Sequence, residues 1–493
     1  MTLTKVQADL TAFTPSGTGA TVRSIDSKLQ DVVSVKDFGA KGDGSTDDAV
    51  AIQAAIDSVS SGGIIFFPKG TYIIGTELGI RSNNTLVGAN RYDSVLKTKA
   101  GTDITLINDG SGVNSKICIT DLGFSGNKAN VSAGQIMNLW KTEDFLVSNC
   151  RIVDSKGDGM IIRQCSYGQI VNNNIINCDN HGISLTNTDN TSPQGNDIQI
   201  VGNSIKNPGA SGINVSQQNN VTVTGNSVRH TSSSGHVDSS GQPTGYGGVR
   251  FSNDTTRCVA GNNAIQGMSR GIFVVGTAGA YNTIDGNVIN DSGIQGILIE
   301  ASYQLVTDNT VIDSGKVTNP SSGIQISNAE DGTATQIVQI QNNQIIGGGS
   351  MDIGVEVNST GHRNVITGNT IIAETVAPIT NSGSGRNFFR HNHYGNKDTG
   401  SGVSSIASAS TITLPPDGEI FNITGTNTIG TIDGLWAGRT VKLRFASSGS
   451  GVTDSSSIRL AGNFTSDGNG DVLTLIGMGD STVTIYEVSR SNV

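Results

Sequence analysis

Short apolar stretches recur along the middle of the chain in a fixed order. One phrase is Gly-Asn or Asn-Asn, one further residue and then Ile or Val, as in "VNNNII" at 171–176 and "DGNVI" at 285–289. Its aligned Ile or Val stands at 152, 175, 205, 228, 265, 289, 311, 345 and 371. A second phrase, Gly followed by apolar-x-apolar, runs from "GMII" at 159 to "GVEV" at 354. A third alternating stretch lies between them, so each period predicts three short strands.

Three short strands in a period of about 23 residues are typical of a right-handed parallel β-helix, in which every coil pairs with the next. Ile and Val are expected to stack inward, while the Asn residues fill the bends and form amide ladders. The intervals of 22 to 37 residues indicate loops inserted at some turns. A leucine-rich repeat needs regularly spaced Leu, and a propeller blade needs about 40 residues. The pattern therefore predicts an all-β chain built around a β-helix.

The two ends of the chain depart from this repeat. Residues 45–58, "STDDAVAIQAAIDS", predict one helix with Thr46 as N-cap and Val50, Ile52 and Ile56 on its apolar side. Such a helix would cover the open edge of the stacked sheets. The Asn phrase stops after 391–410, and alternating stretches such as "RTVKLRF" and "TVTIYEV" predict a separate small, β-sandwich-like domain.

Composition and charge narrow the function classes. Charged residues make up 15% of the 493 residues, against about 25% in ordinary globular chains, which fits short strands and many turns. The net charge of −10 argues against a nucleic-acid partner. No signal-peptide core and no membrane-spanning apolar run are present, so we expect a protein made in a cytoplasm without membrane insertion. The five cysteines lack metal-site spacing and predict reduced interior thiols, and we expect no metal and no cofactor.

One long motif near the N-terminus is specific enough to indicate a protein family. Residues 34–72 read "SVKDFGAKGDGSTDDAVAIQAAIDSVSSGGIIFFPKGTY", which closely resembles the opening of the pectate-lyase-like β-helix superfamily. The stretch before it, "TPSGTGATVRSIDSKLQDVV" at 14–33, resembles the join between particle-binding peptide and β-helix in bacteriophage tailspikes. The end of the chain, with "GLWAGRTVKLRF" and "DVLTLIGMGDSTVTIYEVSRS", is similar to C-terminal β-domains of phage tail proteins.

The resemblance implies a homotrimeric virion tail protein, made in the host bacterium, that binds and often cleaves bacterial surface polysaccharide. It implies phage tail or baseplate proteins as further partners. It also implies three parts: an attachment peptide at 1–32, a β-helix at 33–395 and a C-terminal β-domain at 396–493 for trimerisation or auxiliary glycan binding. It does not identify an active site. The acidic motif of Asp43, Asp47 and Asp48 is expected to cap the helix and its turn rather than to act in catalysis.

Glycoside hydrolysis usually needs two carboxylates, which on a β-helix would project outward from one sheet. Alternation along the Gly-led strands predicts one outward column of Arg250, Phe273, Leu298, Gln325 and Glu356 and a second of Ser252, Val275, Glu300 and Ser327. The candidate catalytic acids are Glu300 paired with Glu330 or Asp331, and Asp254. The candidate sugar-binding residues are Tyr246, Arg250 and Tyr303, with the insertion at 230–246 walling a groove. Asp308, at a bend where Gly often stands, is expected to be structural.

Three functions stay open on this reading. An endo-acting hydrolase of envelope glycan is favoured, and a polysaccharide lyase on the same fold is the first alternative. A lyase needs cations to neutralise a uronate carboxylate, and the Gly-led face shows no clear row of Arg or Lys. A non-catalytic receptor-binding or structural spike is the second alternative. The outward pair Phe273 and Leu298, expected to be exposed on a single chain, predicts a subunit interface.

Overall fold

The computed structural model describes residues 11–110, 112–187, 195–231, 246–277, 279–317, 321–329, 331–372, 376–381, 387–394, 404–415, 418–468, 470–478 and 484–491. Three long parallel sheets dominate this part of the chain. From Leu78 onward each coil contributes one strand to sheet A, the Gly-led sheet, then one to sheet B and one to sheet C. The predicted right-handed parallel β-helix is confirmed.

The strands are short and regularly paired, coil after coil. Sheet A contains Leu78–Gly79, Thr105–Asn108, Gln135–Trp140, Met160–Arg163, Ile183–Thr186, Ile213–Ser216, Gly247–Ser252, Arg270–Val275, Ile297–Glu300, Ser322–Ile326, Ile353–Val357 and Ala377–Asn381. Sheet B contains Val32–Ser34, Gly63–Phe67, Asn84–Gly88, Cys118–Thr120, Leu146–Ser148, Gln169–Val171, Gln199–Val201, Thr222–Thr224, Val259–Gly261, Thr283–Asp285, Leu305–Thr307, Gln339–Gln341, Val365–Thr367 and Phe388–Arg390. Sheet C contains Asp43–Asp47, Gly70–Ile74, Ser94–Thr98, Gly123–Ser125, Arg151–Val153, Asn174–Ile176, Ser204–Lys206, Ser227–Arg229, Ala264–Gln266, Val288–Asn290, Thr310–Ile312, Gln344–Ile346, Thr370–Ile372 and His393–Tyr394.

The interior of the coil is filled by stacked apolar side chains and by one buried Asn ladder. The Ile and Val of the aligned phrase are buried, from Ile152 to Ile371. Each ladder Asn, such as Asn287, donates from its side-chain nitrogen to the side-chain oxygen of the next, here Asn309 at 2.8 Å. The same nitrogen bonds the carbonyl of Ala260 at 2.8 Å, so the amide satisfies buried backbone as well. The ladder runs through Asn173, Asn203, Asn226, Asn263, Asn287, Asn309, Asn343, Asn369 and Asn392.

The predicted helix is present, but it begins later than its sequence suggests. It spans Ala49–Ser58, and Asp48 rather than Thr46 occupies the N-cap position. Thr46 lies in the strand Asp43–Asp47, where its backbone N–H is bonded by Asp43. Val50 is 81% exposed, because the buried side of the helix is formed by Ala49, Ile52, Ala55 and Ile56. Both assignments were therefore wrong: the N-cap lies two residues after Thr46, and Val50 faces away from the core.

The acidic motif before the helix serves the backbone, as expected. Asp48 is buried and accepts the N–H groups of Lys41 and Gly42 at 2.7 and 2.9 Å. Asp47 accepts the N–H of Gly75 at 3.1 Å. The hydrogen bonds from Thr46 and Ser45 hold the pKa of Asp43 well below its usual range. On the helix, Gln53 bonds both N–H and C=O of Gly79 and so covers the edge strand of sheet A.

Smaller elements complete the N-terminal part. The strands Ala12–Phe13 and Arg23–Ser24 pair antiparallel before the helix Ile25–Leu29, and 3₁₀ turns lie at Val35–Phe38 and Lys128–Asn130. Two-stranded pairs join Asn114–Ser115 with Thr142–Glu143 and Gly195–Asn196 with Gln218–Asn219. None of the five cysteines forms a disulfide, and Cys150, Cys165, Cys178 and Cys258 are buried. Within the residues described above, no helix is long and apolar enough to cross a bilayer.

The C-terminal strands build a second hydrophobic cluster, separate from that of the β-helix. One sheet contains Ser404–Ala407, Ile420–Thr424, Thr440–Phe445, Val472–Met478, Thr484–Ser491 and Ile458–Arg459. Smaller sheets pair Thr411–Thr413 with Thr431–Asp433 and combine Thr428–Ile429, Gly451–Val452 and Phe464–Thr465. Trp436 reaches back to the β-helix core, with its ring 6.3 Å from that of Phe389. The Trp436 side chain thereby covers the last coil.

Candidate functional site

The outer face of sheet A carries the two predicted columns of side chains. Strand pairing aligns Arg250 with Phe273, Phe273 with Leu298, and Leu298 with Gln325, followed by Glu356. The second column aligns Ser252 with Val275 and Val275 with Glu300. The period-2 alternation of the strands was sufficient to predict this register, because one side chain in two must face outward.

The apolar part of this face is covered within the single chain. Phe273 is 6% exposed, Leu298 2% and Val275 8%, and together they form a small outer hydrophobic cluster. The guanidinium carbons of Arg270 and Arg250 lie 4.8 and 5.6 Å from the centre of the Phe273 ring. The expectation that Phe273 and Leu298 are exposed was therefore wrong. Their burial removes the argument that drew a subunit interface from these two residues.

Glu300 ends its strand at the edge of this arginine-covered cluster. Its side chain is half-buried, beside Val275 on the preceding coil. The Glu300 carboxylate interacts electrostatically with the Arg270 guanidinium. Burial lowers the pKa of Arg270, while Glu300 acts to raise it and Arg250 to lower it further. Two cations and one carboxylate thus share the centre of the outer face.

A chain of hydrogen bonds leads from this cluster along the face to Glu356. Arg270 donates from Nε to Gln295 at 3.1 Å, and Gln295 donates to Gln325 at 2.6 Å. Gln325 donates to Glu356 at 2.8 Å. The hydroxyl of Ser322 also donates to Glu356, so this carboxylate is engaged in holding neighbouring side chains. Glu356 is therefore an ordinary structural acid on the same sheet.

A groove of about 610 Å³ lies at the corner where sheet A turns into sheet B. Arg250, Asp254 and Asp331 line it together with Asn253 and Val275. The fold brings these three candidate residues together although Asp331 belongs to a later coil. Asp331 is exposed and accepts the N–H of Thr333 at 2.8 Å, which lowers its pKa. Its partner candidate Glu330 lies outside the described residues, as do residues 232–245 of the insertion.

Glu300 adjoins the groove without being among the residues that line it. Val275, its neighbour on the preceding strand, forms part of the groove wall. Successive coils are about 4.8 Å apart, so Glu300 is about 10 Å along the sheet from Ser252, two residues before Asp254. The candidate acids therefore form two groups, Asp254 with Asp331 in the groove and Glu300 beside it.

The two candidate tyrosines lie at opposite ends of the sheet A strands. Tyr246 precedes its strand at the corner between sheets C and A, where its ring meets His181 edge-on with centroids 5.7 Å apart. Tyr303 follows its strand at the corner between sheets A and B and is 41% exposed. Its ring centroid is 5.4 Å from that of Tyr281 on the preceding coil. Only Tyr303 shares a corner with the groove.

Sequence reasoning missed Arg270, Gln295 and His181. Arg270 and Gln295 come just before the Gly of the Gly-led phrase, and a search restricted to the outward columns excludes them. His181 Nδ1 accepts the N–H of Ser211 at 3.0 Å. Burial, reinforced by the Arg250 cation, lowers the pKa of His181 to about 4, so its ring is neutral near pH 7. The residues described contain no group of three or more His, Cys, Asp or Glu side chains able to hold a metal ion.

Asp308 has the structural role that its position predicts. It occupies the bend before a sheet C strand with a φ of 54°. Its carboxylate accepts the hydroxyl of Thr307 at 2.7 Å. Asp308 lies at the corner between sheets B and C, away from the groove.

Two family models match this chain over its coiled part. One, described as rhamnogalacturonase A/epimerase, pectate lyase-like, covers residues 32–257, and the other, described as a right-handed β-helix region, covers 211–394. The groove thus lies on the outer sheet of a right-handed β-helix. The resemblance of the N-terminal motif to the pectate-lyase-like superfamily is confirmed.

Curated relatives share only segments with this chain. Alginate lyase 7 of Azotobacter vinelandii is 42% identical over 109 residues, 20% of this chain and 13% of that protein. The pre-neck appendage protein of Bacillus phage phi29 is 29% identical over 169 residues, 34% of this chain and 18% of that protein. The chain thus spans less than a fifth of the length of either relative.

Solved structures share the fold over more of the chain. A double mutant of the tailspike protein of E. coli bacteriophage HK620 is 13% identical, with a TM-score of 0.57, and the match covers 90% of this chain and 84% of that one. The A-module of mannuronan C-5 epimerase AlgE6 of Azotobacter vinelandii is 19% identical with a TM-score of 0.54, over 74% and 100%. A further HK620 tailspike mutant was solved in complex with a pentasaccharide, with a TM-score of 0.52 and 14% identity over 90% and 84%. At these identities the likeness concerns the fold.

Proposed function

We propose that this chain is a phage tailspike that binds and depolymerises host cell-surface polysaccharide. The observation that carries the proposal is the groove at the corner of sheets A and B, where Arg250, Asp254 and Asp331 converge beside Glu300. An open, polar groove suits an extended polymer better than a small enclosed ligand. The phage appendage protein supports a phage protein, and the tailspike solved with a pentasaccharide supports this substrate class.

The favoured reaction is hydrolysis inside the polymer by two carboxylates. Glu300 would act as proton-exchanging group or nucleophile, and Asp254 or Asp331 would supply the second carboxylate. Inverting hydrolysis needs carboxyl groups about 6.5–9.5 Å apart, and retaining hydrolysis about 5–5.5 Å. Glu300 and the groove end of the Ser252 column are about two coils, or about 10 Å, apart along the sheet, which is nearer to the inverting range than to the retaining one. Glu330 is kept as a further candidate for the second acid.

Lyase chemistry is the second candidate, and one structural observation strengthens it. Arg250 and Arg270, on neighbouring strands of sheet A, cover the same Phe273 ring. Two cations in this position would neutralise the carboxylate of a uronate sugar while a base removes the proton α to it. Sequence reasoning had counted against a lyase for want of cations on this face.

One experiment separates the candidates. The protein is incubated with purified O-antigen and capsular polysaccharides from a panel of bacterial strains, and the products are analysed. New reducing ends without ultraviolet absorbance indicate hydrolysis, and absorbance of an unsaturated uronate indicates a lyase. An unchanged polymer that is still bound indicates a receptor-binding spike. A chain that binds none of the panel would contradict the proposed function.

We further propose the division into an attachment peptide at 1–32, a β-helix at 33–395 and a C-terminal β-domain at 396–493, assembled as a homotrimer in the virion tail. The motif resemblance and the phage relatives support it, now without the help of Phe273 and Leu298. Deletion of 1–32 should abolish attachment to the particle and leave glycan binding intact. A monomeric mass by light scattering at micromolar concentration would contradict the trimer.

A further inference from the structure

One corner of the β-helix uses residues that its backbone does not favour. The position two residues before each sheet B strand has a positive φ in ten consecutive coils of the described chain. These positions are Lys116, Asp144, Tyr167, Asp197, Asn220, Arg257, Tyr281, Tyr303, Ile337 and Arg363. The left-handed region is unfavourable for bulky side chains and is tolerated by Gly, Asn and Asp.

The equivalent corner between sheets B and C provides an internal comparison. The position two residues before each sheet C strand also has a positive φ, in eleven consecutive coils of the described part. It is held by Asp121, Asn149, Asn172, Gly202, Gly225, Asn262, Gly286, Asp308, Asn342, Gly368 and His391. Geometry alone therefore selects small turn-forming residues in this fold. Bulky residues, which fill seven of the ten positions at the A–B corner, are therefore not explained by the turn, and of these ten only Tyr281 and Tyr303 bring two aromatic rings together.

Tyr281 and Tyr303 occupy this strained position on consecutive coils. Their ring centroids are 5.4 Å apart, with 35° between the ring planes. Tyr281 is 62% exposed and Tyr303 is 41% exposed. A backbone hydrogen bond from Tyr281 N to Tyr303 O, 2.8 Å long, keeps the two turns in step. At this distance and tilt the two rings pack against each other along the helix axis, and both residues stay largely exposed, so the pair contributes little to the core.

This aromatic surface flanks the groove. The turn that ends at Tyr281 begins with Gly276 and Thr277, which line the groove. Tyr303 N donates to Gln336 O at 3.0 Å, and Gln336 N donates to the hydroxyl of Ser302 at 3.1 Å. These bonds tie Tyr303 to the loop that carries Asp331. A ligand in the groove therefore reaches the tyrosines by continuing around the same corner.

We propose that Tyr281 and Tyr303 form a stacking subsite for neutral pyranose residues of the glycan that occupies the groove. An aromatic ring offers a flat apolar surface with a polar edge, which complements the C–H face of a sugar ring and its peripheral hydroxyls. The two tyrosines stand on consecutive coils, so an extended chain running along the helix axis meets one after the other. The inference rests on the proposed function and adds where, and with which face, the polymer is held.

The test uses Tyr281→Asn and Tyr303→Asn, with Tyr167→Asn as matched control. Tyr167 stands in the same column, with a φ of 57° and 57% exposure, but its neighbours in the column are Asp144 and Asp197. All three variants should melt at or above the wild-type temperature, because Asn relieves the backbone strain. Tyr281→Asn and Tyr303→Asn should each weaken binding of a panel polysaccharide by about fivefold, whereas Tyr167→Asn should leave it unchanged.

The possible failures are distinguishable. If the wild-type chain binds a polysaccharide and both variants bind it equally well, the subsite is refuted while the proposed function stands. If Tyr281→Asn or Tyr303→Asn lowers the melting temperature by several degrees, the rings serve stability and the inference is wrong. If the wild-type chain binds no polysaccharide of the panel, the proposed function is overturned and the subsite with it.

Discussion

Replacing Glu300 by Gln is the sharpest test of the proposed chemistry. The substitution keeps the volume and shape of the side chain and removes its negative charge and its ability to exchange a proton. General acid–base catalysis contributes about 10²–10⁴-fold to rate, and loss of a nucleophile costs more. We therefore expect cleavage to fall at least about a hundredfold, with glycan binding retained because the groove walls at Arg250, Asp254 and Asp331 are untouched.

The effect of this substitution on stability follows from the surroundings of Glu300. Its carboxylate balances Arg270, which also keeps its hydrogen bond to Gln295 and its contact with Phe273. Removing one partner of a fully buried ion pair costs about 3–5 kcal/mol, and exposed pairs contribute about 0–1 kcal/mol. Glu300 is half-buried, so we expect a loss of about 1 kcal/mol. Such a loss leaves the protein folded at ordinary temperatures.

The assay compares initial rates of reducing-end release or uronate absorbance for wild type, Glu300→Gln and Glu356→Gln. Glu356 lies two coils further along the same sheet and is held by Ser322 and Gln325. The control should cleave at a rate within about twofold of wild type, as expected of an acid that takes no part in proton transfer. Glu300→Gln cleaving at the native rate, with normal circular dichroism, would refute the assignment. The site would then lie with Asp254 and Asp331 in the groove or between subunits.

Three further predictions concern the second acid, the ladder and the neutral histidine. Asp254→Asn and Asp331→Asn should separate, one lowering cleavage at least about a hundredfold and the other less than about tenfold; equal wild-type rates for both would contradict a groove acid. Asn287→Leu removes bonds to Asn309 and Ala260 and leaves buried groups without partners, so denaturant titration should show a loss of about 3 kcal/mol. Folding lowers the pKa of His181 from 6.5 to about 4. As the pH falls, the unfolded chain therefore binds the proton before the folded chain does. The contribution of the neutral His181 ring to the free energy of unfolding is therefore complete above pH 6.5 and is lost as the pH falls toward 4. His181→Gln should abolish about 3 kcal/mol of that decline, and an unchanged pH profile of unfolding would contradict this.

The repeat predicted the fold and its register because both depend on local rules. The alternation of apolar and polar residues correctly predicted which side chains face outward on sheet A. The Asn residues at the bends correctly predicted the ladder from Asn173 to Asn392. The exposure of Phe273 was predicted wrongly because it depends on long side chains from the preceding coil and from the start of its own strand. Arg250 and Arg270 fold across the ring, and their reach is not encoded in the position of Phe273.

The site was only partly predictable, for a related reason. Asp254 was a candidate two coils before Glu300 and Asp331 a candidate in the loop that leaves the coil after it, and the structure brings both to one groove with Arg250. The groove itself is made by turns, whose paths depend on their length and hydrogen bonds. Arg270 and Gln295 were missed because they precede the recognisable phrase, where alternation no longer indicates an outward side.

The lengths of the turns indicate why function would collect on sheet A. Between every sheet B strand from Cys118 onward and the following sheet C strand there are two residues, so this corner is invariant and carries the Asn ladder. The turns from sheet A to sheet B vary from four residues, after Glu300, to twelve, after Ile326. The turns from sheet C to sheet A reach seventeen residues, after Arg229.

Insertions are tolerated where they do not disturb the stacked core, and both variable corners flank sheet A. Loops on both sides can therefore wall its outer face without altering the coil, whereas sheets B and C each adjoin the invariant corner. The groove beside Glu300 therefore lies on the sheet whose flanking turns vary in length. We expect a change of glycan specificity to alter these turns before it alters the strands.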